Sequence, residues 1–152
     1  MPAFVLPGAG FLVAVLWFDL MFDVQTRKQP TGTLPPEILA SISAYYRRVT
    51  TDASPMNRMV AVVMALTIVA IAVEIARGEQ PWWIAWLSLA ATLSAVSLVM
   101  ARTITNAVRL GAATDPPHVS TRLARATYID HVYCLAAMIL VVALQLSEPL
   151  PS

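Results

Sequence analysis

Lysine is nearly missing from this sequence: Lys28 is the single one among ten basic residues, and the others are all arginine. Charge of either sign is scarce too, at 12% of residues, where a soluble domain carries about 25%. A net charge of +1 supplies no basic field, which argues against nucleic acid as a partner. The lone cysteine, Cys134, excludes an internal disulfide, and no paired zinc spacing exists. The two histidines, His118 and His131, fall on one expected helix. Bis-histidine haem ligation would therefore need a second copy of the chain. There is no phosphate-binding glycine loop, serine elbow or HExxH motif.

Apolar residues fill the space that charge leaves. They make up 58% of 152 residues, and the mean hydropathy is +0.68. This is the composition of an integral membrane protein, with the length of one domain. Arginine in place of lysine, beside much alanine and valine, suggests a GC-rich bacterial genome, and hence the plasma (inner) membrane.

Four spans can be placed. Residues 3–22 approach the roughly 20 positions that a helix needs to cross a bilayer. They lack a basic leader and a small-residue cleavage site, so they read as a span and not as a signal peptide. Ser54-Pro55 caps a second span over 56–77, which Gly78 closes. Glu79-Gln80-Pro81 makes a tight connection to a third span over 82–101, anchored at the interface by Trp82, Trp83 and Trp86. Its helix is expected to continue to Leu110 and stop at Gly111. Asp115-Pro116-Pro117 opens the last helix, whose apolar part gives a span over 128–147 ended by Glu148-Pro149. A further helix is expected over 36–51, headed by prolines and striped by Ile38, Ile42, Tyr45 and Val49. It either lies on the membrane surface or packs beneath the bundle. Tyr46 widens its apolar face and favours packing.

The expected fold is therefore all-α, an integral membrane four-helix bundle with cytoplasmic helix extensions. Every basic residue except Arg77 lies in or beside the two long loops. The positive-inside rule puts those loops in the cytoplasm and both termini outside.

Asp19 and Asp23 stand at i and i+4 at the cytoplasmic end of the first span. Carboxylates at that depth take a cation, a metal or a water-filled cavity, so they are either metal or proton ligands or salt-bridge partners of Arg58 or Arg102. Arg102, Asn106 and Arg109 share a helix face, and such a fork suits a phosphate, a carboxylate or a quinone-like carbonyl. The alternative is headgroup contact and pairing with Asp19, Asp23 or Asp130. Asp130, His131 and Cys134, after Thr127 and Tyr128, form the most chemically varied cluster. Asp19, Asp23, Asp130 and His131 are the candidate metal ligands. His131 and Asp130 are the candidate catalytic acid–base pair. A satisfied structural pair is the plainer reading. Glu74 and Arg77, at i and i+3, most simply pair with each other. Small residues Ala90, Ala91, Ser94, Ala95 and Ser97 suit close helix packing, within the bundle or in a homo-oligomer.

In size, four spans and a long hairpin bearing Arg102, Asn106, Arg109, Arg122, Tyr128 and Asp130, the chain resembles the small bacterial four-helix membrane proteins grouped with anthrone oxygenases. The resemblance implies action on hydrophobic aromatic or quinone-like molecules. It assigns no catalytic residue here, and it does not extend to the acidic end of the first span.

The leading expectation is a protein that binds or transforms a lipophilic small molecule at the cytoplasmic leaflet. A chamber lined by Asp19, Asp23, Arg58, Arg102, Asn106, Asp130 and His131 would receive it, with Arg102 and Asn106 holding a developing oxyanion. The alternatives are a non-enzymatic oligomeric accessory protein among membrane lipids, and a small proton-coupled transporter or channel. No cofactor is fixed by the sequence.

Overall fold

A computed structural model describes residues 4–52, 54–78 and 80–147, without the side chains of 54–56. The expected Ser54-Pro55 cap contacts, Glu79 of the short connection and the Glu148-Pro149 stop lie outside the described residues, as does the start of the first expected span at residue 3. Helices α1 (Val5–Asp23), α2 (Pro36–Arg47), α3 (Ser54–Arg77), α4 (Trp82–Leu98), α5 (Ile104–Ala112) and α6 (Pro117–Leu146) follow in order, with no strand among the described residues. A 3₁₀ turn, Val24–Lys28, prolongs α1. Wide π turns at Arg48–Asp52 and Val99–Thr103 follow α2 and join α4 to α5. The chain is a multi-pass membrane protein: four helices are long and apolar enough to cross a bilayer, over Val5–Lys28, Asn57–Arg77, Trp82–Ala112 and Pro117–Leu146.

The last two outrun the membrane. At 31 and 30 residues they reach about 45 Å at 1.5 Å per residue, against roughly 30 Å of hydrocarbon. Their surplus projects from one end of the bundle, where α2 packs against it. Two cores result. Val5, Ala9, Leu12, Ile71, Ala95, Cys134, Met138 and Val141 fill the bundle. Leu34, Ile42, Tyr46, Leu110, Leu123 and Ala124 fill the projecting end. The helix expected over 36–51 packs against α5 and α6 at that end.

Proline heads both helices of that end as expected. Pro36 and Pro117 stand in the first turns of α2 and α6, preceded by Pro35 and Pro116 in extended conformation. Gly78 follows α3 with φ +63°. Gly111 does not end its helix. The helix continues to Ala112, and Ala113 takes the left-handed cap at φ 53°. Gly111 is instead where α5 meets α2: a Cβ there would lie 2.9 Å from the Arg47 backbone nitrogen and 3.0 Å from the Tyr46 carbonyl carbon. Past the cap, Arg109 forks onto Asp115 with bonds of 3.1 and 2.7 Å, which holds the Asp115 carboxyl below the usual carboxylate range.

The small-residue stripe of α4 divides. Ala95 is buried with Ala85, Ser88 and Thr92, Ala91 and Ser94 are half-buried, and Ala90 and Ser97 face outward.

Candidate functional site: two polar centres around α6

Asp130 and His131 are neighbours in sequence, and a helix turns consecutive side chains about 100° apart. They therefore serve two separate centres, on opposite flanks of α6.

His131 faces α1. Its Nδ1 lies 2.6 Å from Asp23 Oδ2, and its Nε2 lies 4.0 Å from Asp19 Oδ2. A ring nitrogen that close to a carboxylate carries its proton toward it, so Asp23 fixes the tautomer. The other carboxylate oxygens are taken by α2. Tyr46 donates to Asp23 Oδ1 at 2.7 Å, and Tyr45 donates to Asp19 Oδ1 at 2.5 Å. The i, i+4 spacing of the aspartates puts both on one face of α1, and adjacent tyrosines on α2 splay to meet them. Tyr45 also stacks on Phe22, with centroids 4.0 Å apart and planes at 12°. Burial pushes both phenols up, and the Asp19 and Asp23 carboxylates push them further. Asp23 is fully buried and His131 is 6% exposed. This is a closed knot that ties α1, α2 and α6 together.

Asp130 faces the π turn. Arg102 grips it with Nε at 2.9 Å from each carboxylate oxygen and with a further bond from a terminal nitrogen. Thr103 donates to Oδ2 at 3.1 Å. Asp130 is fully buried, whereas the Arg102 side chain is 51% exposed. The π turn lets one segment supply both groups, because its widened turn brings Arg102 and Thr103 to bear on a single carboxylate. Beside this pair, a groove of about 530 Å³ opens between α4 and α6, lined by Ser94, Ser97, Leu98, Ala101, Ile129 and Tyr133 together with Arg102 and Asp130. Cys134, on the Asp130 face, donates to the Ala95 carbonyl at 3.8 Å.

The expected single chamber is thus divided. Asp19, Asp23 and His131 come together, and so do Arg102 and Asp130. Arg58 is exposed, Asn106 half-buried, and Arg109 turns away to Asp115. The salt bridges weighed for Asp19 and Asp23 are replaced by bonds from tyrosine and histidine, because Arg102 is committed to Asp130. Among the described residues no three His, Cys, Asp or Glu side chains are placed to hold a metal ion. Of the other hairpin residues, His118 and Arg122 are exposed, and Arg125 binds the carbonyls of Gln29 and Gly32.

Tyr45, Tyr46 and Thr103 were not legible as site residues. A tyrosine pair on a helix beneath a membrane looks like ordinary interfacial anchoring. The one available signal was two aspartates on a single face, of which Asp19 has no basic residue at i±3 or i±4 to balance it.

No family model matches the chain, and neither a curated protein nor a solved structure matches it.

Proposed function

We propose that this protein binds a flat, lipophilic molecule with an acceptor oxygen, such as a quinone-like carbonyl or a phenolate, in the groove between α4 and α6. The observation that carries this reading is Arg102. It is a half-exposed guanidinium at the end of an apolar groove, held in place by a buried carboxylate. A prepositioned arginine loses little entropy on binding, and in low dielectric its bond to an acceptor is strong. Tyr133 lines the groove, its hydroxyl 2.9 Å from Ser94, and offers a ring for an aromatic ligand to stack against. The resemblance to the anthrone oxygenase group points to the same ligand class. On this reading the end that holds Arg102 faces the cytoplasmic leaflet of a bacterial plasma membrane and both termini lie outside, an orientation that the clustering of arginine in the two long loops supports.

The test is titration of menadione into the protein in lipid nanodiscs, with empty nanodiscs as the baseline. Saturable binding is expected. Ser97→Trp, which fills the groove but spares the ion pair, should weaken it at least about tenfold. Absence of saturable binding, or an unaffected Ser97→Trp variant, transfers the assignment to the accessory-protein reading.

A further inference from the structure

The groove between α4 and α6 presents two polar groups of opposite kind. Arg102 spends Nε and one terminal nitrogen on Asp130, and its other terminal nitrogen makes no bond among the described residues. A guanidinium has no lone pair to give, so Arg102 offers only donors. Across the groove, Ser94 Oγ lies 2.8 Å from the Ala91 carbonyl oxygen. A carbonyl cannot donate, so the serine proton is committed there. Tyr133 Oη lies 2.9 Å from the same Ser94 oxygen and must supply the proton of that bond. With its proton spent, Tyr133 has only lone pairs left for the groove it lines.

Asp130, which holds Arg102, and Tyr133 stand at i and i+3 on α6, so the two groups are about 4.5 Å apart along the helix. One aromatic ring with oxygens on opposite sides covers that separation. The Asp130 oxygens are taken by Arg102 and Thr103. Ser97, on α4 between Ser94 and Arg102, has a hydroxyl that can give or accept and does not discriminate. Ligand choice therefore rests on an acceptor oxygen at Arg102 and an O–H donor at Tyr133.

We infer that the groove selects a quinol, or a hydroxylated aromatic of that shape, over the corresponding quinone. This selection rests on the groove being the ligand site, and it narrows the ligand class proposed for it. One quinol oxygen accepts from Arg102, while the hydroxyl on the far side of the ring donates to Tyr133. A quinone instead sets a second acceptor against the Tyr133 oxygen. To satisfy it, Tyr133 must withdraw its proton from Ser94, and one bond is gained only by losing another.

The test titrates three ligands into the protein in lipid nanodiscs: menadione, menadiol in an anaerobic reducing buffer, and menadiol dimethyl ether, which has no donor. Menadiol should bind about tenfold more tightly than either of the others. Tyr133→Phe should bring menadiol down to the affinity of menadione. Ser94→Ala frees the tyrosine proton, so it should tighten menadione and erase the preference, a gain that loss of a packing contact would not produce. Equal binding of the three, or a preference for menadiol that survives both substitutions, overturns the selection. If Ser97→Trp still abolishes that binding, the groove stands as a site and only its choice of ligand falls. Absence of saturable binding by all three removes the site and the selection together.

Discussion

At the scale of single residues, the two phenols of α2 are the most exacting members of the His131 knot. Each donates to a carboxylate in the folded protein and is held protonated there by burial and by that negative charge. Unfolded, they ionise near the ordinary tyrosine value of about 10. Their raised folded values mean that the stability they contribute is complete below that value. It is lost as pH climbs from there toward the folded pKa, because only the unfolded state then releases the proton. Thermal unfolding in detergent between pH 9 and 12 should show the melting temperature falling steeply above pH 10. Tyr46 alone contributes a slope of up to about 1.4 kcal/mol per pH unit. Tyr46→Phe should start lower and fall less. A parallel decline in wild type and variant would remove Tyr46 from the knot.

At the scale of elements, the join of α2 to α5 depends on a missing side chain. Alanine in place of Gly111 would gain about 1 kcal/mol of helix propensity. It would also put a methyl group 2.9 Å from the Arg47 backbone nitrogen, and neither backbone can yield cheaply. We expect Gly111→Ala to destabilise by about 1–3 kcal/mol net. Ala113→Gly, at the left-handed position next door, should stabilise by about 1 kcal/mol. Paired melting curves check both, and a neutral Gly111→Ala would show that the helices can part. The same stretch marks the limit of sequence reading. A glycine after an apolar run signals a stop by default, and only the position of α2 shows that this one is needed for contact. Hydrophobic runs and prolines gave the spans and the starts of α2 and α6, because those signals are local. The division between Asp130 and His131 depends on which neighbour lies on each flank of α6, and the π turn that aims Arg102 has no composition of its own. Neither is written in a single stretch.

At the scale of the whole molecule, the projecting end built from α2, α5 and the start of α6 should lie in the cytoplasm. Cys134 is buried, so single cysteines can be introduced on a Cys134→Ala background. With an impermeant maleimide on intact cells, Ser147→Cys should be labelled, whereas Thr31→Cys and Ala112→Cys should react only after lysis. The reverse pattern inverts the topology and places the Arg102 groove in the outer leaflet.

The Asp23–His131 bond joins residues 108 positions apart, from the first helix to the last, and these two helices make the most extensive contact in the molecule. During synthesis, α1 therefore enters the membrane carrying two carboxylates whose histidine has not yet been translated. Until α6 emerges, the carboxylates of α1 lack their histidine, and the nascent chain must hold or shield them until residue 131 has been made. Completion of the last helix is the event that closes the fold, so chains cut short anywhere before His131 should be the ones that quality-control proteases recognise.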